Sequence, residues 1–163
     1  MSVTLIISDE SAGDPLASLV DLEDATPGGV PAPSTAGQDL YIRHTAEVNP
    51  ITGCGFYITR YAGDGYLGLD ADDDYDEAMT WGDSDKGFLI SQDSGSTWTA
   101  FKAGEGDEDT PIPLTIGSGV SGDEIAVGAE VHVKVRWEVP SSIAPKTAAR
   151  RSISLNMAYS ATS

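Results

Sequence analysis

"EVHVKVRWEV", residues Glu130 to Val139, alternates without a break. Val131, Val133, Val135, Trp137 and Val139 fall on one side of an extended chain, and His132, Lys134, Arg136 and Glu138 fall on the other. Such a period of two describes a strand with one face in a core and one in water. "RSISLNMAY", Arg151 to Tyr159, repeats the pattern, with Ile153, Leu155, Met157 and Tyr159 expected inward and Ser152, Ser154, Asn156 and Ala158 outward. Between them, Pro140 and Pro145 in "PSSIAPKTAAR" end the first strand and forbid its immediate continuation.

Working upstream, "VTLII" near residue 3, "DLYIRHTA" from Asp39, "GFYITRYA" from Gly55, "GFLIS" from Gly87, "STWTAF" from Ser96 and "IPLTI" from Ile112 also read as strands, being rich in β-branched and aromatic residues. About eight strands separated by turn signals predict an all-β fold, an antiparallel β-sandwich or jelly roll. The helical candidates, "PLASLVDLE" near residue 15 and "DYDEAMTWG" from Asp74, are too short to form a layer. The 18 glycines and 9 prolines punctuate the chain as an all-β fold requires.

A length of 163 residues suits one domain, 1–163. "ATPGGVPAPSTAGQ", residues 25 to 38, has no apolar period and reads as an extended connector. Residues 1–24 ahead of it are expected either to form an N-terminal arm or to pair at a sheet edge. A long surface loop within one domain is the plain alternative for the connector.

The chain carries 26 acidic residues against 9 Lys plus Arg, a formal charge of −17, so a phosphate backbone is repelled and nucleic acid is excluded as a main partner. The charge fits solubility, a saline medium, or docking onto basic neighbours or divalent cations. With Cys54 as the single cysteine, no intramolecular disulfide can form and the core must hold alone. "MSVTLIISDES" has neither a positive n-region nor a membrane-length apolar run, so synthesis in a cytoplasm, without a membrane span, is expected.

Four groups of residues are candidate sites. "SQDSGSTW" supplies Ser91, Asp93, Gly95, Thr97 and Trp98 in the spacing S-x-D-x-G-x-T-W, flanked by strand-like residues on both sides. This stretch resembles the Asp box of sialidases and other β-propeller proteins, where it is a hairpin device without catalytic function. The resemblance implies that the Asp accepts turn amides, the Gly takes a positive φ and the Trp packs beneath the turn. A propeller needs several such boxes, and this chain has one.

Asp70, Asp72, Asp74 and Asp76 alternate within an acidic run, as ligands of a hard cation such as calcium can. Their spacing fails the EF-hand pattern, because Tyr75 and Trp81 stand at the sixth and twelfth positions counted from Asp70, so a solvated acidic loop is the competing reading. Trp81, Tyr61, Tyr66 and Tyr75 interleave with those acids and resemble the loops of calcium-assisted carbohydrate-binding modules. Core packing or loop anchoring is the alternative for these aromatics. His44, on the face of Leu40 and Ile42, reads as a satisfied half-buried histidine; His132 lies on a polar face, and Cys54 reads as a packed thiol. No P-loop, nucleophile elbow or dinucleotide fingerprint occurs.

Taken together, "QDLYIRHTAEVNPITGCGFYITRYAG", "AMTWGD", "GFLIS" and "VHVKVRWEVPSSIAPKTAARRSISLNMAYS" resemble the small acidic β-sandwich virion proteins of tailed phages and archaeal tailed viruses. The resemblance covers most of residues 38 to 160 and brings no catalytic motif with it. It implies a non-enzymatic subunit of a head, tail or baseplate, without a cofactor, made in the host cytoplasm and residing in the virion. Its partners would be other virion proteins and further copies of itself. The alternative is a glycan-binding sandwich module, calcium-assisted, built on Trp81 and the tyrosines.

Overall fold

In the computed structural model, residues 5–13, 27–45, 49–60, 71–143 and 153–161 are described. They form β1 (Leu5–Ser8), β2 (Gln38–His44), β3 (Ile51–Arg60), α1 (Ala71–Gly82), β4 (Gly87–Ser91), β5 (Thr99–Ala100), β6 (Ile112–Pro113), β7 (Glu130–Glu138) and β8 (Ile153–Ala161). The strands make two antiparallel sheets, ordered β1-β2-β7-β4-β5 and β6-β3-β8. The described residues make an all-β sandwich of eight strands with one helix.

β7 is the middle of the larger sheet. Its alternating burial follows its alternating sequence, with Val131, Val133, Val135 and Trp137 in the core. Register extends that apolar face to both sides, because Ile42 and Leu40 of β2 oppose Val131 and Val133, while Ile90 and Phe88 of β4 oppose Val135 and Trp137. The smaller sheet meets this face with Cys54, Phe56 and Ile58 of β3, and Phe101 and Leu114 fill the space at the β5 and β6 side. β4 is buried along its whole length, as its unbroken apolar run requires.

Three expectations change. The acidic run was expected as a loop, with at most a turn or two of helix in "DYDEAMTWG", but residues 71–82 form the twelve-residue helix α1. Tyr75, Ala78, Met79 and Gly82 stand at i, i+3, i+4 and i+7, a helical stripe, and α1 packs through Ala78, Met79 and Trp81 against β4 and β3. Asp72, Asp73 and Asp74 occupy its first turn, where the helix dipole favours negative charge.

Secondly, "STWTAF" and "IPLTI" contribute only two paired residues each, Thr99–Ala100 and Ile112–Pro113. Pro113 lacks the N–H that would extend β6, and the residues between β4 and β5 are taken up by the hairpin turn. Thirdly, β8 is only half-buried: Ile153, Leu155 and Met157 face the core, but Tyr159 is 40% exposed. The cause is position, since β8 is the edge strand of the smaller sheet and nothing described lies beyond it.

The helical candidate near residue 15 lies outside the described residues, as do most of residues 1–24. The described part of that segment, β1, pairs antiparallel with β2, Ile7 opposing Ile42. The turn that follows β1 is held by Glu130, whose carboxylate accepts hydrogen bonds from Ser11 Oγ (2.7 Å) and the Ala12 amide (2.8 Å).

The last residue of α1, Gly82, lies against backbone. A Cβ there would stand 2.0 Å from the Phe101 carbonyl oxygen and 2.9 Å from Lys102 Cβ. Gly82→Ala is therefore expected to lower stability by about 1–3 kcal/mol through overpacking, even though alanine is the better helix former. Chemical denaturation of the two proteins checks this, and an equal or raised midpoint would refute the close-contact explanation.

Candidate functional site

The hairpin joining β4 and β5 is organised by Asp93 and Ser91. Asp93 Oδ1 accepts from the Thr97 amide (2.8 Å) and from Ser91 Oγ (2.8 Å), and Oδ2 accepts from Thr97 Oγ1 (2.6 Å). The buried Ser91 hydroxyl accepts in turn from the Gly95 amide (2.9 Å). Ser94 and Gly95 both take positive φ, 61° and 90°, which the tight turn demands. Hydrogen bonds from Thr97 hold the Asp93 carboxyl down at about 2, so it is ionised across the neutral range.

Trp98 fastens this hairpin to the larger sheet. Its indole N–H donates to the Gly95 carbonyl (3.0 Å), and the Arg136 guanidinium lies 4.0 Å over its ring. Gly37 makes room, for a Cβ there would lie 2.5 Å from the indole edge. Gln92, which sequence reasoning passed over, ties the turn to the other sheet by donating to the Pro113 carbonyl and accepting from the Thr115 amide, both at 2.8 Å. The polar side chains of Ser91, Gln92, Asp93, Thr97 and Trp98 are thus engaged within the fold.

On the solvent face of β2 and β7, Tyr41 stacks on His132 with ring centroids 4.3 Å apart. Asp39 Oδ1 meets both His132 Nε2 and Lys134 Nζ at 2.7 Å. The Lys134 and His132 contacts hold the Asp39 carboxyl below its ordinary value. Glu138 accepts from both Arg136 and Lys86. The ladder pairs Asp39 with His132 and Lys134, and Glu138 with Arg136 and Lys86, while the buried Arg136 Nε finds no hydrogen-bond partner.

The remaining sequence candidates are dispersed. Trp81, expected as an exposed glycan platform, is only 6% exposed and packs in the core against Trp137, 5.4 Å between ring centroids. It stands three residues after the buried Ala78, on the neighbouring side of α1, and so reaches the core. Tyr75 is half-buried beneath the Arg60 guanidinium, 4.7 Å from its ring centre, and Tyr61 and Tyr66 lie outside the described residues.

Of the acidic set, Asp70 lies outside the described residues, while Asp72, Asp74 and Asp76 stand on α1. A helix turns about 100° per residue, so positions 72 and 74 are on opposite sides of its axis and the expected loop of alternating ligands is not formed. Asp76 pairs instead with Arg60 at 2.8 Å. Among the described residues, no three His, Cys, Asp or Glu side chains are grouped to hold an ion.

His44 is fully buried rather than half-buried, and its Nε2 donates to the Asn49 carbonyl (2.9 Å). Cys54 is buried too, and burial, with the Asp123 carboxylate adding to it, pushes its thiol up to about 11.

A feature that sequence reasoning missed lies where the sheets part. Ile7 of β1, Leu40 and Ile42 of β2, Phe56 of β3 and Leu155, Asn156 and Met157 of β8 line an open cavity of about 190 Å³. Ile7 faces the second sheet, as its partner Ile42 does, yet Ile7 is 39% exposed because the smaller sheet stops at β8. Apart from Asn156 the walls are apolar, and they carry no charge, so the cavity suits apolar side chains rather than an ion or a sugar. Its residues come from four strands far apart in sequence, and the one local sign was the alternation of β8 continuing to Tyr159.

Two measurements probe these environments. Asp93 has a depressed carboxyl, so its contribution to stability is complete above 3.8 and is lost as pH falls through about 2. Asp93→Asn is expected to melt lower than wild type at neutral pH and to lose less on acidification through that window; parallel melting curves would contradict the role given to its charge. The Cys54 thiol should resist alkylation at mildly alkaline pH in the native protein and react on unfolding. Equal rates in both states would contradict its burial.

No protein-family model matches this chain, and no curated protein or solved structure matches it either.

Proposed function

We propose that this protein is a non-enzymatic structural subunit of a tailed-virus particle, a head-decoration, tail or baseplate component that works through protein–protein contacts. The observation that carries the reading is the unfinished side of the sandwich. A five-stranded sheet lies against a three-stranded one, leaving Ile7 and Tyr159 exposed beside an edge of β8 that no strand among the described residues covers. Exposed strand edges and adjoining apolar surface are what a chain uses to join other chains.

The engagement of the polar residues supports the same view. Asp93, Ser91, His44 and Cys54 are each occupied in turn or core contacts, and Asp39, His132 and Lys134 satisfy one another. The segment resemblance to small virion proteins supplies the particle. Synthesis in the host cytoplasm and residence in the virion, beside other virion proteins, follow from that reading. The glycan-binding alternative was built on Trp81 with Tyr61, Tyr66 and Tyr75; of these, Trp81 is buried against Trp137 and offers no open face to a sugar ring, and Tyr61 and Tyr66 lie outside the described residues.

Mass spectrometry of gradient-purified particles from cells carrying the gene tests the proposal. The chain should sediment with the particles at a fixed ratio to the major capsid protein and resist a salt wash. Recovery only from the soluble lysate would overturn the structural reading.

A further inference from the structure

On the side of β3 away from β8, the edge of the smaller sheet is interrupted by an excursion. β6 runs beside Gly55 and Phe56 of β3, and after residues 115–122 the chain returns to the same strand, where Ile125 and Ile51 exchange backbone hydrogen bonds (3.0 and 3.1 Å). Both ends of the excursion are held by Cys54, whose carbonyl accepts from the Leu114 amide (2.8 Å) and whose amide donates to the Asp123 carbonyl (2.9 Å). Its neck is closed by the Gly117 amide donating to the Gly122 carbonyl and the Ser118 amide to the Glu124 carbonyl, both at 2.7 Å. The neck leaves no room for side chains, since a Cβ on Gly117 would stand 2.1 Å from the Glu124 carbonyl oxygen and one on Gly122 would stand 2.4 Å from that of Thr115. The Thr115 amide is tied in turn to the Asp93 hairpin through Gln92.

On this braced loop the sequence GSGVSG carries one apolar side chain, Val120, and it is fully exposed. Turn chemistry accounts for the glycines and serines around it but has no use for a valine. Ile116 and Val127, near the two legs, are also exposed, so three of the six large apolar residues left exposed among the described ones fall within residues 116–127. Glu124 places charge behind the tip: its carboxylate accepts from the Ser118 hydroxyl (3.3 Å) and lies 3.6 Å from the place a Gly119 Cβ would fill.

We propose that residues 115–122 are a docking finger, with Val120 entering an apolar socket on a neighbouring virion protein whose rim carries Lys or Arg to meet Glu124 and Asp123. This inference rests on the structural-subunit reading and names the residues and the partner chemistry of one of its contacts. A loop already fixed before binding loses little conformational freedom on docking, so a small knob can hold. Glycine and serine flank the valine, and so narrow a tip suits a pocket rather than a flat surface. Charge selects the rim, because a basic surface attracts the acids behind the tip, whereas a second copy of this −17 chain or an anionic lipid surface opposes them.

Competition for places in the particle tests the finger. Wild type and one variant are expressed together, and their ratio in gradient-purified particles is compared by mass spectrometry with their ratio in the soluble lysate. Val120→Asp should be depleted roughly tenfold from particles, while Val120→Ile should stay within about twofold of parity. Glu124→Gln, which keeps an acceptor for Ser118 and removes the charge, should be depleted about threefold. The Val120 variants should melt with wild type, since this side chain is fully exposed.

Parity for Val120→Asp overturns the finger, as does exclusion of Val120→Ile equal to that of Val120→Asp, and parity for Glu124→Gln overturns the basic rim. Wild type missing from particles defeats the subunit reading and the finger with it, whereas wild type present beside an equally incorporated Val120→Asp defeats the finger alone. Flotation of the free chain with phosphatidylcholine–phosphatidylglycerol vesicles, or its self-association in sedimentation velocity, would also overturn the proposal if Val120→Asp abolished it, for the knob would then serve a membrane or a second copy.

Discussion

The packing of Trp137 against Trp81 is the contact on which most of the architecture depends. Trp137 stands at the end of the central strand β7, opposite Phe88 of β4, and Trp81 reaches it from α1. This contact ties the helix to the central strand, beside its packing on β4 and β3. The chain then turns after Gly82 to run back into β4. The turn is closed by hydrogen bonds from the Ser84 and Lys86 amides to the Trp81 carbonyl, so a core side chain and a helix end are set by the same residue.

From β7 outward the two halves of the sandwich are unequal. Towards β5 and β6 the space is closed by Phe101, Leu114 and Ile112, with Gln92 bridging the sheets at the surface. Towards β1 and β8 the sheets diverge in strand number, and the apolar face of the larger one continues under nothing described. A sheet face needs cover, and a free strand edge needs either protection or a partner. β8 has neither charge nor proline to protect it, which joins the packing of the fold directly to its proposed use in assembly.

The legible parts of this structure were those whose pattern is local. β7 could be read because one of its faces meets water, so each inward residue is marked by its polar neighbours. β4 could be read from an unbroken apolar run, and the Asp93 hairpin from turn chemistry confined to eight residues. α1 was obscured by its own aspartates, which drew attention from the stripe of Tyr75, Ala78, Met79 and Gly82. The burial of Trp81 depends on Trp137, a partner distant in sequence, and aromatic residues carry no local mark of which side they face. The open cavity was the least legible, for β8 has the alternation of a buried strand and only the sheet order makes it an edge.

The central claim is that the free side of β8 is a contact surface rather than an ordinary edge. Hydrogen–deuterium exchange of the chain free in solution and assembled in purified particles addresses it most directly. The account predicts that amides of Ile153 to Ala161, and those around Ile7, are more protected in the particle than in the free chain, while those of β7 stay unchanged because they are already paired on both sides. Equal exchange in β8 in the two states, or protection gained at another surface instead, would contradict it.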